Sequence, residues 1–270
     1  MRLGLSFGGA DPGGLSKERL LEDARCAESA GFDGLWFFDA IGRGMILPDP
    51  LQAAVLAANA TRRIEVGTCV MQVPLRRPAE LAHRLLTTHL LCEGRFVFGA
   101  GAGSTRTDFE LVGADFDARL PGLETGLATM RTLWRGERVG DAGLDPWPST
   151  IGGPPVLIGS WSGRYWIPKA AREFDGWIAS GAKTSFDALA SGIEIFRAAG
   201  GGRAVVTNIA FDLDAPTERV PDDAPFHLRC QPDEARRRMR RLAGLGFDDA
   251  IFVPPDRDRG RLDALRGLVD

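Results

Sequence analysis

The feature that most constrains this chain is an alternation repeated eight times without remainder. Short apolar or β-branched runs at residues 3–7, 34–39, 64–70, 96–101, 155–159, 175–180, 204–213 and 249–254 read as strands. Helical-period runs follow each one: residues 16–30, 50–61, from Pro78 to the Gly94 turn, 122–135, 164–173, 185–199, 232–245 and 257–269. Ser16 suits the cap of the first helix, because its hydroxyl accepts from first-turn N–H groups. Gly31 suits the left-handed turn that ends it. The strand runs LGLSF, GLWFF, FVFGAG and AIFV are apolar nearly throughout, as parallel strands covered by helices require. Eight consecutive units of this size point to a closed (β/α)8 TIM barrel.

The 270 residues match the roughly 250 that such a barrel needs, and no composition break divides residues 1–270 into domains. The formal net charge of −3 gives no electrostatic basis for a nucleic-acid partner. The arginine-rich helix at 234–246 reads as a solvated face. No apolar run reaches the roughly 18 residues of a membrane helix, and glycines interrupt the N-terminal apolar stretch before a signal peptide could form. Cys26, Cys69, Cys92 and Cys230 have neither paired nor metal-ligand spacing. They read as reduced thiols, so a cytoplasmic, metal-free protein without a membrane partner is expected.

In a TIM barrel, the loops at the carboxyl ends of the strands build the site. Three of them carry glycine-rich or anion-suited stretches. Gly99–Gly103, GAGAG, either lets the backbone approach a ligand or makes a tight rim turn. GSWSGR at 159–164 directly precedes a helix, where N–H groups and the dipole favour an anion. Gly159, Ser160, Trp161 and Ser162 lie here, and the competing reading is a helix cap by Ser162. After strand six come Ser180, Gly181 and Lys183, one of three lysines; Lys183 either neutralises a phosphate or is solvated. Trp36, Phe37 and Phe38 should belong mostly to the core. Trp161, Tyr165 and Trp166 either line a substrate cleft or pack a helix.

The stretch GFDGLWFFDA, the long run from DPLQAAVLAANATRRIEVGTCV through GRFVFGAGAG, and the later PPVLIGS, AAREFDGWIASG and QPDEARRRMRRLAGLGFDDAIFVPP resemble the bacterial luciferase-like family in order and over nearly the whole chain. The resemblance implies a flavin- or deazaflavin-dependent oxidoreductase acting on a small organic substrate. The expected cofactor is F420, with FMN as the alternative; the reaction would be hydride transfer with F420 or monooxygenation with FMN. It also implies a homodimer and, for some members, a separate reductase. By the same resemblance a non-prolyl cis peptide lies between Cys69 and Val70, under the ring. Gly101, Gly103 and Asp39 approach the cofactor, and the loop at 159–162 holds its phosphate.

One departure matters. Family members often follow the acidic residue after strand two with histidine, whereas here Asp39 precedes Ala40. Alanine cannot move a proton. Asp39 either bonds the ring or caps its loop, and is a weak catalytic candidate. His83 and His89 fall inside a helix, which leaves His227 as the substitute. A non-catalytic flavin-binding barrel is therefore the rival reading, and an unrelated barrel binding a phosphorylated metabolite a third. The short segment 212–231 implies an open cleft with little lid.

Overall fold

The computed structural model describes residues 1–7, 15–161 and 163–269. Eight strands form the barrel: β1 (Arg2–Leu5), β2 (Gly34–Phe37), β3 (Glu65–Thr68), β4 (Phe96–Gly101), β5 (Val156–Gly159), β6 (Gly176–Ser180), β7 (Arg203–Asp212) and β8 (Asp249–Val253). Each pairs in parallel with the next, and β8 pairs with β1, which closes the ring. Nine helices are described, α1 (Lys17–Ser29), α2 (Pro50–Ala60), α3 (Pro78–Leu91), α4 (Arg106–Val112), α5 (Arg119–Trp134), α6 (Trp166–Glu173), α7 (Phe186–Ala198), α8 (Pro232–Gly244) and α9 (Arg259–Arg266). The expected TIM barrel is the fold.

Local chemistry sets the ends of these elements. Ser16 Oγ accepts from the Arg19 N–H, and Gly31 takes φ +84° after α1. Asp49 caps α2 through the N–H groups of Leu51 and Gln52. Pro50 and Pro78 open α2 and α3, where a missing N–H costs nothing.

Two elements escaped the sequence reading. Residues 101–121 read as one loop but contain α4, whose seven residues bury Asp108 and Phe109 and are too few to show a helical period. The connection after α5 carries a small exposed hairpin, Arg138–Val139 with Ala142–Gly143. Strand three is also shorter than expected. Its ladder stops at Thr68 and resumes at Met71–Gln72, beside β4.

Alternation along the strands divides the core in two. Leu35, Phe96, Phe98, Val156, Ile158, Trp177, Ala179, Val206 and Phe252 face the helices. Their neighbours Trp36, Val97, Leu157, Ile178, Val205 and Ile251 turn inward, joined by Cys69. Trp36 is 1% exposed and fills much of this interior. Three glycines make its room: a Cβ on Gly34 would lie 2.7 Å from the indole nitrogen, one on Gly67 2.7 Å from the six-membered ring, and one on Gly4 3.2 Å from the five-membered ring.

Below Trp36, at the amino end, Arg203 closes the barrel. Its guanidinium sits 5.8 Å from the Trp36 ring centroid. It donates to both oxygens of Asp249 on β8 (2.8 and 2.9 Å) and of Glu65 on β3 (2.7 and 3.0 Å). Burial opposes the charge, but the two carboxylates outweigh it and raise the guanidinium's pKa above its usual value. Removing one member of such a cluster strands the others at low dielectric, at a cost of about 3–5 kcal/mol. Arg203→Met should therefore lower unfolding free energy by about that amount in urea titration. A loss within experimental error would show that the cluster is hydrated and contributes little.

Candidate active site

Trp36 and its neighbours plug the lower barrel, so space opens only above them. A cavity of about 1230 Å3 lies at the carboxyl ends of the strands. Asp39, Cys69, Val70, Gly103, Gly159, Ser160, Trp161, Ser180 and Lys183, all singled out in the sequence, line it together.

The floor is built at β3. The peptide bond between Cys69 and Val70 is cis. Val70 carries its side chain over two glycines: a Cβ on Gly101 would stand 2.4 Å from one Val70 methyl, and one on Gly159 2.8 Å from the other. The glycines at these positions thus serve Val70. Gly101 is not among the residues that line the cavity. The Cys69 thiol is buried, and burial pushes its pKa to about 12 despite Ser6 nearby. It stays protonated and is no nucleophile.

Beside the floor runs a buried polar network that the sequence reading missed. Asp39, its side chain 1% exposed, accepts from both Arg76 terminal nitrogens (2.6 and 2.9 Å) and from the Gln72 N–H (2.8 Å). This ion pair, rather than a loop cap, occupies the carboxylate and argues against Asp39 as a proton carrier. The Gln72 side-chain amide donates to the Asp39 carbonyl (3.0 Å) and to Asp108 Oδ2 (2.8 Å). Both donors are fixed, so its Oε1 is fixed as well. That oxygen is buried and has no partner among the described residues. Asp108 also accepts from the Gly42 N–H and from Arg43 at 2.7 Å. Burial works against its charge, but Arg43, Gln72 and the Gly42 N–H prevail and hold its pKa below the ordinary 3.8.

The opposite wall joins α5 to the start of α6. The Tyr165 hydroxyl donates to Glu124 Oε1 (2.7 Å), and Lys169 Nζ lies 3.0 Å from the same oxygen. Trp161, Tyr165 and Trp166 all border the cavity with Leu120 and Pro121, as a cleft wall would. Trp166 also packs in the core, so both sequence readings hold for it. The N-cap residue of α6 is Tyr165, without a side-chain cap; Ser162 lies outside the described residues. The Ser160 N–H already donates to the Ile178 carbonyl (3.0 Å), so that N–H is not open to an anion.

Arg164 and Lys183 stand at the rim on neighbouring loops, both exposed, with no ion-pair partner among the described residues. Gly181 does not line the cavity, because its N–H donates to Thr207 O (2.7 Å) and its carbonyl accepts from Phe226 N–H. A further residue at the site, Asn208, takes φ +57° where β7 breaks register with β8. Its amide donates to Ser180 Oγ and Thr207 Oγ1, both at 3.2 Å. An isolated Asn inside a strand run gives no warning of this.

Ala40 is buried and borders the cavity; none of the three histidines does. His227 is held elsewhere: its Nδ1 accepts from the Arg229 N–H (3.1 Å), and desolvation, then Arg238 and Arg229, lower its pKa. Its placement removes it as the substitute for a histidine at position 40. The segment from Leu213 to Gln231 supplies no lining residue, consistent with the expected open cleft.

A planar heteroaromatic ring with an anionic tail fits these residues. The floor is apolar, and Arg164 and Lys183 stand at the rim without an ion-pair partner among the described residues.

Comparison with known proteins agrees with the fold. A solved structure, the oxygenating constituent of 3,6-diketocamphane monooxygenase from Pseudomonas putida in complex with FMN, superposes with a TM-score of 0.78. The match covers 98% of this chain and 96% of that one at 18% identity, which speaks to fold alone. The 4-hydroxyprotoasukamycin monooxygenase of Streptomyces nodosus subsp. asukaensis is 39% identical over 109 residues, 40% of this chain and 29% of that protein. The F420-dependent glucose-6-phosphate dehydrogenase of Rhodococcus erythropolis is 29% identical over 180 residues, 61% of this chain and 53% of that protein. The aligned stretches thus span at most about half the length of these two relatives. The model of the luciferase-like monooxygenase family matches residues 3–261, and the chain belongs to that family.

Proposed function

We propose that this barrel is an oxidoreductase that binds F420 in the large cavity and exchanges hydride between its ring and a small organic substrate. The observation that carries the reading is the joint placement of the Val70 floor and the rim cations Arg164 and Lys183, unpaired among the described residues, around one cavity. When bound, the ring supplies the redox chemistry. Val70 supports one ring face. Gln72, locked by Asp39 and Asp108, stiffens the wall beside the ring. Arg164 and Lys183 neutralise the tail, and two cations suit F420, which carries carboxylates beyond its phosphate. FMN, with a single phosphate, is the second choice of cofactor and would imply monooxygenation.

Ala40 favours one rival within the family. With no histidine on the cavity, the barrel would bind cofactor without completing proton transfer. Titration separates these readings. Intrinsic fluorescence of the purified protein should be quenched saturably by oxidised F420, more tightly than by FMN. Arg164→Ala with Lys183→Ala should weaken F420 binding about tenfold, or ~1.4 kcal/mol, and flatten its salt dependence. Tight binding without turnover across candidate alcohols and carbonyls would leave a binding module; binding of neither cofactor would remove both readings.

The network that holds Gln72 has its own pH signature. A carboxyl whose folded pKa is depressed stabilises the fold above its unfolded value, and that stability is lost as pH falls through the folded pKa. For Asp108 the loss begins below about 3.8. Asp108→Asn should cost about 1–3 kcal/mol at neutral pH. The gap from the parent should narrow in acid, as read by urea midpoints. A gap independent of pH would show that Asp108 contributes by shape alone.

A further inference from the structure

A second cavity of about 430 Å3 adjoins the first and falls in the ~300–1,000 Å3 range of small-molecule pockets. It is built by residues 39–41, 44–50 and Arg76. Asp39, Ala40, Met45 and Leu47 border both spaces, so Ala40 stands at their junction. Its methyl leaves open a neck that an imidazole would narrow.

The chemistry of this annex is one-sided. Ile41, Met45, Ile46, Leu47 and Pro48 give it apolar walls. Its charged groups are all engaged. Asp39 is paired with Arg76, and Asp49 caps α2 and accepts from Arg84 at 2.8 Å. An anionic ligand would find no free cation there among the described residues. Ile41, Met45 and Ile46 are nevertheless 37%, 55% and 91% exposed. Large apolar side chains gathered at the rim of a concave space mark a surface that binds something apolar.

The annex also has a fixed frame. The Gly42 N–H donates to Asp108 Oδ1 (3.0 Å), and a Cβ on Gly42 would lie 2.3 Å from the Thr107 carbonyl oxygen. Arg43 adds its bond to Asp108. The segment is thus pinned to α4 at its start and to the α2 cap at its end, with Met45 and Ile46 between the anchors.

We infer that residues 41–48 form a subsite for the hydrocarbon body of an uncharged substrate, and that Ala40 keeps this subsite continuous with the large cavity. The substrate class is a neutral, largely hydrocarbon alcohol or ketone, not a sugar phosphate or a carboxylate. The substrate role rests on the oxidoreductase reading above; the binding does not.

The test therefore uses the protein without cofactor. Calorimetric titration compares menthone, a neutral alicyclic ketone, with glucose 6-phosphate, both in excess inorganic phosphate so that the rim cations Arg164 and Lys183 are already neutralised. Menthone should bind with a negative heat-capacity change, the mark of apolar burial, and glucose 6-phosphate should give no saturable heat. Ile46→Glu, at an exposed position that borders only the annex, should weaken menthone binding about tenfold with F420 affinity unchanged. Ala40→Phe, which fills the neck, should weaken it further. Glucose 6-phosphate binding as well as menthone, or menthone affinity indifferent to Ile46→Glu, would overturn the proposal. So would menthone affinity that falls as protein concentration rises, since the patch would then be covered by a second copy of the chain. Menthone binding without F420 binding would keep the annex and sink the cofactor reading; the reverse would do the opposite.

Discussion

The architecture depends on how the barrel interior is filled. Trp36 occupies the axis where glycines at 4, 34 and 67 withdraw to admit it, and Arg203 ties β3 to β8 beneath. Close packing leaves no through-channel. The opening above this plug is thus confined to the carboxyl face, and the strand ends around it become the walls of a site. Val70 repeats the device one level higher, with its methyls over Gly101 and Gly159. Side chain and glycine are matched twice, first to close the barrel and then to give the cavity a floor.

Charge is handled differently at the two ends. At the amino end Arg203 and Arg2 share the carboxylates of Glu65 and Asp249, and the result is structural. At the carboxyl end Asp39 and Asp108 are held by Arg76 and Arg43, with Gln72 between them. That arrangement leaves the Gln72 Oε1 without a partner among the described residues. Ala40, in the same wall, borders both spaces with a methyl group that cannot carry a proton.

The fold was legible because it is written in periodicity. Parallel strands buried on both faces are apolar nearly throughout, and Phe96–Gly101 was read to the residue. The Ser16 cap acts within a few positions and also shows in the sequence. The site was legible where single residue types announce themselves, as with Lys183 or the GSWSGR run. It was not legible where function is a relation between distant residues. Arg76 meets Asp39 across 37 positions, and Gln72 meets Asp108 across 36. The glycines misled for a related reason. Gly101 suggested contact with a ligand, yet the atom that needs its space is Val70 Cγ2. His227 misled because loop position says nothing about where a ring points.

The most direct test is a crystal structure of the protein grown with oxidised F420. The account predicts a planar ring resting on Val70, with its tail between Arg164 and Lys183. A ring bound elsewhere on the barrel, or a tail directed away from both cations, would contradict it.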